Sequence, residues 1–212
     1  MIPDTLVTIS TIAILSLTQF GSMSVLVNQS HVLASHEFSL NNRYYPVQKE
    51  NILLNLAYMD GRVKGKADVN WDEILKPQTY SFKLNPGETF AFHDDVLPEY
   101  QGKVTKSTNA HFNAAEGFRS FGYLVGDGVC HLASLMYWVA LDAGLETNAP
   151  TNHNFMAIPE IERIYGVSIF NNPYLKGANA KQNLYITNSK DKTVEFKFDY
   201  NGDKLRVSAI EH

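Results

Sequence analysis

The chain has a single cysteine in 212 residues, so no disulfide can close within it, and no Cys/His cluster has the spacing of a zinc site. No metal or cofactor is therefore expected. Basic charge is not in excess: 18 Lys+Arg against 22 Asp+Glu leave a net charge of −4. No Lys/Arg run supplies a local positive field, which argues against nucleic acid as a partner. Internal repeats and low-complexity tracts are also absent. The one long charge-free stretch, Leu6 to Phe20, falls short of the roughly 20 apolar residues of a spanning helix unless it continues through Met23, Val25 and Leu26. No Lys or Arg precedes it and Asp4 is acidic, so the positive start of an export signal is missing too. Its length still predicts a signal peptide or membrane anchor over residues 1–30, with one domain over 31–212. What the chain does have is 44% hydrophobic and 12% aromatic residues, enough for one ordinary core.

Val47, Ile52, Leu53, Leu56 and Ala57 recur at helical spacing and predict an amphipathic helix ending at Asp60-Gly61. Before it, Ser35 to Tyr45 is mixed and polar; after it, Val63 to Lys76 is a polar excursion anchored by Trp71. Tyr80 to Leu84 alternates as a half-buried strand does, and Asn85-Pro86-Gly87 turns the chain toward Thr89–Phe92, a hairpin-like unit. Asp94 to Arg119 shows no sustained period and reads as a long surface loop. Leu132, Leu135, Met136, Val139 and Ala143 then form the clearest apolar stripe of the chain, a buried helix stopped by Gly144. Tyr165–Phe170, Asn183–Thr187, Thr193–Phe198 and Lys204–Ala209 read as strands, with Asn201-Gly202 as a hairpin turn. The pattern predicts an α+β domain: a central buried helix packed on a mainly antiparallel sheet.

Cys130 sits at the start of that helix, immediately after Gly126-Asp127-Gly128-Val129. Unpaired N–H groups and the positive end of the helix dipole favour a thiolate there. Glycines let backbone approach a substrate, and N–H groups of the Gly126-Asp127-Gly128 turn can donate to an oxyanion, an interaction of about 3 kcal/mol in enzymes that use it. The competing reading is an inert, buried cysteine. A thiolate nucleophile needs a base. His131 is adjacent, but consecutive helical side chains diverge by about 100°. His153 lies beyond the helix and can fold back across its start, and it is the preferred base. His93 and His111 are further candidates from the long loop, whereas His31, His36 and His212 look incidental.

These residues carry a resemblance. GDGVCHLASLMYWVALDAGLE resembles the signature of the VanW-like family, with Gly126, Gly128, Cys130, Ser134, Tyr137, Ala140, Leu141 and Ala143 to Glu146 in register without a gap. Asn51-Ile52, Pro86 to Phe90 and the closing NLYITNSKDKTVEFKF and KLRVS segments are similar to further family segments. His153 falls on the second histidine of the family's HPHS segment. The resemblance implies an exported or membrane-anchored envelope protein, of a family named for glycopeptide-resistance clusters. It further implies a cysteine-dependent L,D-transpeptidase acting on peptidoglycan stem peptides, with Cys130 as nucleophile and His153 as base; His131, Ser134 and Tyr137 are candidate auxiliaries. A silent envelope protein binding wall or glycopeptide-related ligands, and an NlpC- or papain-like peptidase or amidase, are the alternatives. The chain departs from the pattern at His131 (Gln in the family), at Asp127 (Gly) and near Gly166, where the family carries an acidic residue. No aspartate is thus on hand to orient His153, and Glu160, Glu162 or Asn183 are the substitutes the sequence offers.

Overall fold

The computed structural model describes residues 30–41, 46–122 and 125–212. The apolar segment expected as an export signal or anchor lies, apart from Ser30, outside the described residues. Among the described residues no helix is long and apolar enough to cross a membrane.

Two four-stranded sheets share the core. One, in the order β1-β8-β7-β2, joins β1 (His31–Ser39), β8 (Lys204–Glu211), β7 (Val194–Tyr200) and β2 (Gln78–Leu84), all antiparallel. The other runs β4 (Val104–Ser107), β3 (Thr89–Ala91), β6 (Tyr185–Thr187), β5 (Glu146–Asn148), with only β3 and β4 parallel. The first five residues of the polar stretch that begins at Ser35 are thus strand. Its register sets Phe38 opposite Leu205, and pairing with β8 outweighs a composition that reads as loop. Tyr80–Leu84 and Thr89–Phe92 do not form a hairpin. The turn at Asn85-Pro86-Gly87 passes the chain from one sheet to the other, and Asn188 holds it there through Nδ2 bonds to Leu84 O and Lys192 O of 2.9 and 2.8 Å. Phe82 stacks on Phe196 in its own sheet at 5.4 Å and on Phe90 of the other sheet at 5.1 Å, so one ring ties the sheets together.

Two helices fill the centre. Helix α1 (Pro46–Met59) is buried at every residue from Asn51 to Met59, so its spacing understated how enclosed it is. Between it and the excursion's short α2 (Trp71–Ile74) lies a sharp turn at Asp60-Gly61. Helix α3 (Val129–Asp142) packs against α1, β1, β8 and β5. Its stripe Leu132, Leu135, Met136 and Val139 is wholly buried, and each such side chain contributes roughly 1.5–3 kcal/mol. Gly144, at φ +67°, ends the helix as its position predicts. The long loop after β3 is less exposed than its composition suggests: it carries β4, and Ala110, Phe112 and Phe118 enter the core. The stretch Tyr165–Phe170 is not part of either sheet; it runs across the start of α3. Helix α4 (Lys176–Lys181) then leads back into β6.

Candidate functional site around Cys130

The turn before α3 is held from below by α1. Asn51, fully buried, donates from Nδ2 to Arg119 O and Asp127 O, both at 2.9 Å, and accepts from Arg119 N at 2.8 Å. Gly128 has φ +101°, and a Cβ there would lie 2.7 Å from Gln48 O. Only glycine allows both the conformation and this backbone approach. Asp127 turns its carboxylate back to accept from Phe121 N at 2.7 Å, which fixes the loop's far arm. Gly126, at φ +89°, accepts Val129 N at 3.1 Å, so all three turn residues singled out in the sequence shape the start of α3.

Cys130 opens onto a cleft of about 420 Å³ whose walls include Gly126, Asp127, Gly128, His131, His153, Phe155, Ile169, Asn171 and Gln182. Its thiol is bonded to one residue's backbone: Ile169 N–H donates to Sγ at 3.4 Å, and Sγ donates to Ile169 O at 3.6 Å. Burial is the main influence on this thiol and pushes its pKa up to about 11. The Asp127 carboxylate acts in the same direction, against the bond from Ile169 and the cysteine's own N–H. The helix start was expected to favour a thiolate; in this resting arrangement enclosure outweighs the dipole, and the group is a thiol.

His131 and His153 line the same cleft as Cys130, both buried, with ring centroids 6.4 Å apart and planes nearly perpendicular. Neither is hydrogen-bonded to Sγ among the described residues. Burial, then the neighbouring His153, lowers the pKa of His131 to about 4, and burial also lowers that of His153. Both rings are neutral near pH 7. His153 Nδ1 lies 3.0 Å from Met156 O, an acceptor only, so Nδ1 carries the proton and Nε2 is the basic nitrogen. A main-chain carbonyl thus occupies the role for which the sequence offers no aspartate. Two of the three substitutes do other things: Glu160 accepts from Ser39 N, and Asn183 binds His93. Gly166 backs His153 directly, its carbonyl accepting His153 N at 3.2 Å.

Ser134 and Tyr137 do not line the cleft. Ser134 Oγ donates to Cys130 O at 2.7 Å and accepts Val167 N–H at 2.9 Å, stitching the crossing segment to α3; Tyr137 lies half-buried further along the helix. His93 is a buried structural residue bonded to Gln182 O and Asn183. His111 pairs with Asp94 and Glu116 away from the cleft, His36 with Asp142, and His212 with Glu195. The site roles of Met156, Ile169 and Asn171 escaped sequence reasoning, as did that of Asn51, which had entered only as part of a family-like segment. Only Asn51 carried a signal, a polar residue on the apolar face of its helix; Met156 and Ile169 act through backbone, which residue type does not encode.

Residues 78–210, more than half the chain, match the family described as VanW like protein. No curated protein and no solved structure matches.

Proposed function

The chain belongs to the VanW-like family, and from that premise we propose that it is a cysteine-dependent acyltransferase of L,D-transpeptidase type acting on peptidoglycan stem peptides. The observation that carries this reading is the convergence of Cys130, at the start of α3, and a neutral, carbonyl-oriented His153 on one cleft. In the reaction, His153 Nε2 takes the thiol proton and Sγ attacks a stem-peptide carbonyl carbon. The carbonyl oxygen becomes an oxyanion beside the Cys130 N–H, since those of Val129 and His131 already donate to Gly126 O and Gly128 O. Collapse breaks the C–N bond, the leaving amine receives the proton from His153, and a thioester remains on Cys130. An acceptor amine then attacks the thioester, His153 removes its proton, and the thiolate leaves and is reprotonated. Attack by water in place of the amine gives a shortened stem. Such work lies outside the cytoplasm, to which the apolar stretch Leu6–Phe20 would direct the chain.

The thiol's bonds to Ile169 and its raised pKa favour a second reading, a non-catalytic envelope protein that binds wall or glycopeptide-related ligands in the same cleft. Mass spectrometry of muropeptides incubated with wild type and Cys130→Ala separates the two. New cross-links, lost in the variant, establish transfer. Shortened stems establish hydrolysis. Unchanged muropeptides with wild type sink both enzymatic outcomes.

A further inference from the structure

The chain from Val167 to Asn171 belongs to no sheet, yet its hydrogen bonds alternate as those of a strand do. On the α3 side, Val167 N–H goes to Ser134 Oγ and Ile169 N–H to Cys130 Sγ. On the opposite side, Ser168 N–H goes to Thr151 O at 2.9 Å and Phe170 N–H to Gln182 O at 3.2 Å. Continued by one residue, this alternation brings Asn171 N–H to the same edge as that of Ile169, and it has no partner among the described residues. The Asn171 side chain points to a ligand independently: it lines the cleft, and its Nδ2 is fully enclosed without a hydrogen-bond partner. An enclosed amide donor left unsatisfied is destabilising unless an acceptor is supplied.

We propose that Ile169–Asn171 is the docking edge for an extended peptide, which pairs its main chain with Ile169 and Asn171 and gives a carbonyl oxygen to Asn171 Nδ2. This is strand addition to an edge that is free at Asn171 and held at Ile169 only by the Cys130 thiol, in which main-chain bonds supply affinity and side-chain contacts supply selection. The same event rearranges the thiol's hydrogen bonds. Ile169 has one N–H and one C=O facing the thiol, and a peptide that claims them takes them from Sγ. The proposal rests on the reading that the cleft takes a wall peptide, and it makes Asn171 a substrate-binding residue.

The test is calorimetric titration of a synthetic stem tetrapeptide into Cys130→Ala, with Asn171→Ala and Asn171→Asp added in that background. Each added change removes a donor and is expected to weaken binding about tenfold. Because the Nδ2 group has no protein partner to lose, the thermal midpoint of Asn171→Ala should stay level or rise. In the chain that retains Cys130, the tetrapeptide should slow iodoacetamide alkylation by covering the cleft, and Asn171→Ala should require about tenfold more peptide for the same protection. Equal affinity with and without Asn171 overturns the docking edge, as does the absence of any peptide binding. The reaction reading is judged separately, on the muropeptide products of the wild-type protein.

Discussion

The chemistry of a thiol is decided by its nearest few atoms, and at Cys130 those atoms belong to Ile169. With burial pushing the pKa from 9.0 up to about 11, the thiolate fraction at pH 8 falls about a hundredfold. Iodoacetamide should therefore alkylate the folded, peptide-free protein about a hundredfold more slowly than the urea-unfolded chain at that pH. Equal rates would show that the thiol is not enclosed. The position of Cys130 after Gly-Asp-Gly was legible in the sequence because residue type and helix start are both written there. The suppression of its ionisation was not, because it comes from burial, partly under a segment 39 residues further along the chain, and enclosure by tertiary packing is not written in local residue type. For the same reason His153 was readable as a base candidate, while Met156 O, which fixes its tautomer, was not.

At the scale of elements, the site depends on how closely α1 and α3 approach. Gly128→Ala would place a methyl 2.7 Å from Gln48 O at φ +101°, and we expect a loss of about 2–3 kcal/mol, read as a lowered urea midpoint with the slope unchanged. Gly65→Ala, with open space around its Cβ position, is the matched control and should change little. Both central helices and strands β2, β7 and β8 were visible as periodic apolar patterns, since each buries its own stripe. β1 escaped because its pairing with β8, not its composition, makes it a strand. The supposed hairpin failed because a turn signal states that the chain reverses, not which sheet it enters.

For the whole molecule, the buried histidines set an acid limit. His93, His131 and His153 are each held below their ordinary pKa by burial, so the unfolded chain binds more protons than the native one as pH falls below 6.5. Their contribution is present above pH 6.5 and is lost on acidification. For His131, with its pKa lowered to about 4, the loss across that window is about 3 kcal/mol. Urea unfolding at pH 7.5 and 4.5 should show at least this difference, and His131→Gln should reduce it. A pH-independent midpoint would refute the assignment. The family match and the α+β arrangement were legible because the central helix, its glycine turn and the closing strands are contiguous in sequence. The arrangement of two sheets around one core was not, since β1 must cross nearly the entire chain to meet β8.

The Met156 carbonyl that orients His153 has a consequence for genetics. An aspartate in that role is a single codon whose loss silences an enzyme, and a mutational scan finds it at once. A peptide carbonyl survives every substitution that leaves the loop's course intact, and the Met156 side chain is half exposed. A saturation library scored for function would therefore leave position 156 nearly blank, although an atom of that residue holds His153 in place.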